Sequence, residues 1–410
     1  EAQLNPLLKT RRERGEKWII QTKIRPYTVA ANDQSSKESL YLTARASFET
    51  LGMDSGVDLL SIHGVNNAAM LASTLPNGDG GSCIEQAVRL KREGFARAVG
   101  FAAHCHTDDI IRVIQTGKMD YVNLHFGFFS SYTNVDNQRA IFEAARRKMG
   151  VYCISPASQG GDLYKPSKDM VQLCSPLHPL EFALLYLFTH VGIGDAGSVS
   201  CGPTEPSEFD FQLRAIRLIP YAERLLPPIV ARLRARARKV LGQAFCDGLA
   251  SRVGKFTQGN PDMPGHMNLS LLMTCYGLHK AFEHSCYLKR MAGNLSWPGD
   301  WCAGGSLDVL RGKGNHSPEV KQFRRALDRG KMTTGTSIGP DEFSADKLLE
   351  CLRECEDVVP AKGPKNTSMH WRKIVWGWLY TYALKWVKIG PALTGFKQSK
   401  EFGTMPKTTN

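Results

Sequence analysis

Between residues 18 and 215 short apolar runs alternate with amphipathic stretches, and this repeat limits the chain to one broad class of fold. The runs cover 18–24, 57–63, 97–103, 121–126, 151–156 and 198–202. They are short and rich in β-branched and aromatic residues, as strands are. The stretches between them, such as 83–94 and 138–149, repeat their apolar residues at helical spacing. Repeated strand–helix units imply parallel strands joined by right-handed crossovers. A closed (β/α)8 barrel of the TIM type needs eight such units, and six are visible. The expectation is therefore an α/β barrel whose first two strands are not in this sequence, followed by a helical C-terminal extension. An open doubly wound sheet is the alternative. No Gly-x-Gly-x-x-Gly follows the first run, which counts against a dinucleotide-binding version of that sheet.

In a barrel the C-terminal strand ends converge on one mouth, and that mouth carries the chemistry. Lys23 closes Trp18-Ile19-Ile20-Gln21-Thr22-Lys23, and His63 closes Val57-Asp58-Leu59-Leu60-Ser61-Ile62-His63. A Lys and a His at neighbouring strand ends can tune a proton donor and polarise a carbonyl. A surface Lys and a satisfied core His are the plainer alternatives.

The pattern changes after Pro220. Leu225 to Leu241 reads as one long helix opened by Pro227-Pro228 and carrying Arg232, Arg234, Arg236, Arg238 and Lys239. Arginines two apart spread around a helix, which fits a solvated surface better than a binding stripe. Residues 268–292 read as a further helix, and 303–369 as a polar, partly loop-like region. Three segments follow: a barrel over 1–220, a helical extension over 221–310, and a polar region with a Trp-rich tail over 311–410. In the tail, Trp371 to Trp386 mixes Trp, Tyr and Lys, but its apolar run is too short to span a bilayer. The 371–394 tail suits docking to a membrane surface or a protein groove, or packing on its own domain.

Fifty-two Lys and Arg against 39 Asp and Glu leave a net charge of +13, which points to acidic partners or to a solvated basic surface. The basic residues lack aromatic interleaving, which counts against a specific nucleic-acid surface. Eleven cysteines show no spacing framework, as for free thiols in a reducing, intracellular compartment, with a chloroplast or mitochondrion among the candidates. Cys351 and Cys355 lie one helical turn apart and read as structural; an iron–sulfur cluster needs four ligands. His104-Cys105-His106 and the group Cys275, His279, His284 and Cys286 have no zinc-ribbon spacing, so no metal is expected.

The strand ends also carry a likeness. Trp18 to Lys23 resembles the aldo/keto reductase strand that ends in the active-site Lys, and Val57 to His63 the strand that ends in the active-site His. Ala98-Val-Gly-Phe-Ala-Ala-His104 is similar to the Ile-Gly-Phe-Ser-x-His run of the branch with a helical, iron–sulfur-associated extension. Tyr121-Val-Asn-Leu-His125, Ile154 to Gly161 and Ser200 to Pro206 resemble the sixth strand, the loop after the seventh, and the eighth strand with its turn. Met263-Pro-Gly-His-Met-Asn268 and Asn294-Leu-Ser-Trp-Pro-Gly299 look like signatures of the extension.

The resemblance implies hydride transfer from NADP(H) or NAD(H) to a small carbonyl substrate. Lys23 would lower the pKa of a Tyr acid, and His63 would polarise the carbonyl oxygen. Asn123 would face the nicotinamide carboxamide. Ser155, Gly160, Gly161 and Gly202 would lie along the cofactor, the glycine pair allowing close backbone approach. A Ser that commonly meets the carboxamide falls on Ala102 or Ala103, and no Arg or Lys follows Gly202. The family's Asp and Tyr precede the position matched by Glu1. The expectation is that these 410 residues alone turn over no carbonyl, the donor lying upstream. The alternative function is a catalytically silent accessory subunit of a larger complex, with other protein subunits as partners.

Overall fold

Each apolar run has two sides, because successive strand residues point to opposite faces of a sheet. Along one side lie Ile24, Leu60, Ile62, Val99, Phe101, Val122, Leu124, Val151 and Cys153, all buried. Along the other lie Gln21, Lys23, Ser61, His63, Tyr121, Asn123 and Tyr152. In the computed structural model the runs form a six-stranded parallel sheet with helices packed on the apolar side, an α/β fold. It describes residues 1–25, 39–66, 68–129, 137–158, 161–190, 192–194, 197–247, 262–267, 269–285, 288–289, 307–334 and 344–359.

The strands are β1 (Gln21–Ile24), β2 (Val57–Val65), β3 (Ala96–Ala103), β4 (Tyr121–His125), β5 (Gly150–Ile154) and β6 (Gly197–Ser200). They pair in the order β1-β2-β3-β4-β5-β6, every neighbour parallel. A doubly wound sheet reverses its strand order at a switch point. This sheet never does, so its order is that of a barrel.

The helices in chain order are α1 (Asn5–Glu13), α2 (Ser39–Leu51), α3 (Ala68–Thr74), α4 (Cys83–Arg92), α5 (Thr107–Gln115), α6 (Asn137–Arg146), α7 (Lys168–Cys174), α8 (Pro179–Phe188), α9 (Phe209–Arg217), α10 (Ala222–Leu241), α11 (Gln243–Cys246), α12 (Leu269–Phe282), α13 (Pro318–Thr334) and α14 (Ala345–Val358). Leu40 and Phe48 of α2, Ile84 and Leu90 of α4, Ile110 of α5 and Ile141 of α6 are buried against the apolar side of the sheet. Ser82 opens α4 with a capping box: its hydroxyl accepts from the Glu85 N–H while the Glu85 carboxylate accepts from the Ser82 N–H.

A second core lies under α8, α10, α12, α13 and α14. Residues on both sides of position 220 share it: Phe128, Leu163 and Phe182 pack with Leu226, Phe282 and Phe323. Tyr186 and Val199 touch both cores.

Several boundaries differ from those read in the sequence. Trp18 and Ile19 precede the β1 ladder, which begins at Gln21. The long basic helix starts at Ala222, so Pro227 and Pro228 fall inside it rather than opening it. Its buried stripe of Leu226, Ile229, Leu233 and Ala237 holds it in place across the prolines. The helix expected over 268–292 stops at Phe282, because Glu283 takes a left-handed backbone at φ +59°. The region read as loop-like contains α13 and α14. In α14 half of the residues are charged, while Leu348, Leu349, Cys351, Leu352 and Cys355 form a buried face. Cys351 and Cys355 belong to that core face. The 371–394 tail and Asn294 to Gly299 lie outside the described residues. No helix among the described residues is long and apolar enough to cross a membrane.

Phe182 is fully buried and meets Phe128 and Phe129 edge-on, at centroid distances of 5.3 and 6.1 Å. Phe182→Ala is expected to lower unfolding stability by about 3–5 kcal/mol in urea titration.

Candidate active site

The parallel register sets the polar side in rungs. Lys23 lies opposite Ser61, and His63 opposite Ala102, which lies opposite Asn123. Asn123 is buried, and its Nδ2 donates to Ser61 Oγ at 3.2 Å and to the Phe101 carbonyl at 3.4 Å. Ser61 therefore links Lys23's partner position to Asn123. Three of the residues picked out in the sequence share one face and one end of the sheet.

Their protonation follows from burial and from like charge. Burial lowers the Lys23 ammonium from 10.5 to about 8. His63 falls from 6.5 to about 3, through burial first and then the cations Lys23 and Arg25. Arg25 follows β1, and its Nε donates to His63 Nδ1 at 3.4 Å. A neutral imidazole that accepts at Nδ1 carries its proton on Nε2. His63 is thus held as a neutral Nε2–H donor, the form that polarises a carbonyl oxygen without giving up a proton. His104 lies beyond, its ring 4.7 Å from that of His125, and burial with these neighbouring bases keeps it well below the ordinary imidazole value.

The loop after β5 carries the second group. Ser155 and Ser158 both take left-handed backbone, at φ +58° and +56°, and Gly161 does so at +82°. The Gly161 N–H closes the turn on the Ser158 carbonyl at 2.7 Å. A Cβ on Gly161 would meet little, only Tyr164 Cδ2 at 3.7 Å, so its φ rather than space calls for glycine. Ser158 Oγ is 2.9 Å from His284 Nδ1, both residues buried, which ties the loop to the segment after α12. Burial lowers His284 to about 4, opposed by the Asp162 charge. Gly160 lies outside the described residues. Gly202 follows β6, and its N–H meets the Tyr164 hydroxyl, whose pKa burial raises.

Of the His and Cys groups weighed for metal, Cys286 lies outside the described residues. His106 caps α5, accepting at Nδ1 from the Asp108 N–H at 3.3 Å, while Cys105 is buried and pushed up to about 12. His279 Nδ1 meets Ser285 Oγ at 3.0 Å, and His284 meets Ser158. Among the described residues no three His, Cys, Asp or Glu side chains gather closely enough to hold a metal ion.

Gln21, Arg25, Tyr121 and His125 also belong to this face and were not singled out as site residues in the sequence. Period-two counting from Lys23 and from Asn123 finds all four. Tyr121 lies beside Gln21 and Ser61, and burial holds its hydroxyl protonated well beyond the usual phenol range.

Residues 1–170 match the model of the aldo/keto reductase family. No curated protein matches the chain. An aldo-keto reductase from Bacillus halodurans in its holo form is 16% identical, with 56% of this chain and 77% of that one covered and a TM-score of 0.43. An aldo/keto reductase from Klebsiella pneumoniae in complex with NADP and acetate is 13% identical over 55% of this chain and 75% of its own, with a TM-score of 0.39. A Klebsiella pneumoniae aldo-keto reductase in complex with NADPH is 13% identical over 51% and 69%, at 0.36.

Two titrations check the electrostatics. Carbamylation of Lys23 by cyanate, followed by peptide mass spectrometry, should rise with a midpoint near pH 8 rather than 10.5. His63, His104 and His284 all have folded values below 6.5, so the unfolded chain binds more protons once pH falls below that value. Stability is therefore complete above about pH 6.5 and declines as pH falls towards 4. His284→Gln should make the urea midpoint less dependent on pH across that interval.

Proposed function

We infer that the protein is an oxidoreductase of the aldo/keto reductase type, acting on a small carbonyl compound with NADPH or NADH. The observation that carries this reading is the shared face: Lys23, neutral His63 and Asn123 stand on one face at one end of a barrel-ordered sheet. The family match over 1–170 spans all three.

The residues fit a nicotinamide. Asn123 uses its Nδ2 on Ser61 and Phe101, while its Oδ1 accepts no hydrogen bond among the described residues. That oxygen would take the carboxamide N–H. Ser155 and Gly161, on the turn with left-handed backbone, would lie along the pyrophosphate. Gly202 is the weaker member, because its N–H already meets Tyr164. When bound, the dinucleotide supplies the hydride.

The chain's own groups prepare the carbonyl. His63 would donate from Nε2 to the carbonyl oxygen and concentrate negative charge there. Lys23, with its pKa near 8, would hold positive charge beside the phenol of the proton donor and favour its ionisation. The family resemblance implies a Tyr as that donor.

A second reading is an accessory subunit of a larger complex. Phe209, Leu213 and Tyr221 support it: they are 53%, 46% and 52% exposed, in α9 and the turn before α10, with Arg217 and Arg224 near them in sequence. Calorimetric titration with NADPH and NADH separates the two. Micromolar binding weakened about tenfold by Asn123→Leu, as expected for one lost hydrogen bond, supports the reductase. A folded protein that binds neither nucleotide would overturn it and favour the subunit.

A further inference from the structure

The turn after β5 holds a backbone that its own residues would not keep. Ser158 sits at φ +56°, in the left-handed region, where a side chain crowds the following carbonyl. A residue other than glycine stays there only when its surroundings fix it. Two bonds within the turn do so: the Gly161 N–H donates to the Ser158 carbonyl at 2.7 Å, and the Leu163 N–H to the Ala157 carbonyl at 3.2 Å. A further contact comes from outside the sheet. Ser158 Oγ lies 2.9 Å from His284 Nδ1, and both residues are buried.

His284 is itself fixed in place. Helix α12 ends at Phe282, Glu283 turns the chain at φ +59°, and the His284 N–H returns to the Leu278 carbonyl at 3.2 Å. Leu278 and Phe282 belong to the core shared with α10, α13 and α14. The His284 ring meets the Phe129 ring edge-on at 4.9 Å and lies 6.0 Å from that of Phe282. Burial keeps this ring uncharged at neutral pH. Its Nε2 is buried and has no hydrogen-bond partner among the described residues. Ser158 therefore supplies the only side-chain hydrogen bond to this ring among the described residues. Losing either partner leaves a buried polar atom of the other unpaired.

We propose that His284 is a positioning residue for dinucleotide binding: through Ser158, the helices after residue 220 hold the turn after β5 in the shape that receives the pyrophosphate. The ligand rests on the reductase reading above; the tie rests on the Ser158–His284 geometry. A turn that spends only part of its time in that shape raises the apparent dissociation constant in inverse proportion to that part. Affinity at the barrel mouth is then set in part by an element outside the barrel.

The test uses the full chain with Ser158→Ala, His284→Leu, His284→Asn and the Ser158→Ala, His284→Leu double variant. Circular dichroism checks folding; Ser158→Ala removes a single oxygen atom, so it should fold even where His284→Leu does not. Hydrogen exchange reads the tie without ligand: peptides that contain the Gly161 and Leu163 amides should exchange faster in Ser158→Ala and His284→Leu, and peptides of α2 and α4 should not. Calorimetry with NADPH and NADH reads its use. Each of these two variants should weaken binding about five- to tenfold, as the loss of one hydrogen bond allows. The double variant should bind no more weakly than either alone, because both changes break the same bond. His284→Asn should recover much of the affinity, since its amide puts a polar atom near the place of Nδ1. A histidine that only fills space predicts additive losses and no such rescue. Unchanged exchange in both single variants, or additive losses, would overturn the proposal. If the dinucleotides bind and the variants bind them equally well, the reductase reading stands and the proposal falls. If exchange quickens but the unaltered protein binds neither dinucleotide, the reductase reading falls and the tie between turn and extension stands.

Discussion

Everything in the candidate site depends on parallel register. Shifting a strand by one residue exchanges its two faces. Here one face is made of Ile24, Leu60, Ile62, Phe101 and Leu124, packed under helices, and the other of Lys23, Ser61, His63 and Asn123. A slip would drive Lys23 and His63 into the hydrocarbon core and lift Ile24 and Ile62 out of it. The hydrophobic term that holds the helices on the sheet is therefore the same one that aims the polar residues at a common end. The Asn123–Ser61 hydrogen bond adds directional precision to an arrangement already fixed by burial.

Low polarity then does chemical work at that end. A lysine and an imidazole in water would both tend to carry charge at mildly acidic pH. Brought together, half-buried and beside an arginine, they cannot all do so cheaply. The imidazole yields first, because its intrinsic basicity is lowest, and becomes a neutral donor; the ammonium keeps its proton up to about pH 8. Arg25 directs one N–H to His63. The protonation pattern is thus set first by burial, to which the neighbouring cations add at His63.

Much of this was legible in the sequence. Short apolar runs between helical stretches located the six strands, and their C-terminal ends located Lys23 and His63. Reading stopped short where the signal was compositional. The charged surface of α14 hid a helix whose apolar face is plain once counted at helical spacing. Prolines 227 and 228 looked like a helix start because proline is favoured there, yet tertiary burial on both sides of them carried the helix through. Arg25 carried no motif at all. Its meaning comes from a contact with a residue 38 positions away, which no local pattern encodes. The Ser158–His284 contact, across 126 positions, was invisible for the same reason.

That long-range contact, together with the shared core beneath it, has a mechanical consequence. The helices after residue 220 bury Phe128, Leu163 and Phe182, which belong to the strand–helix portion of the chain. Neither part can peel away without opening the other to water. The protein should melt as one cooperative body rather than as a barrel trailing a loose appendage. Losing the helices after residue 220 would leave the buried faces of α8 and of the loops after β4 and β5 open to water.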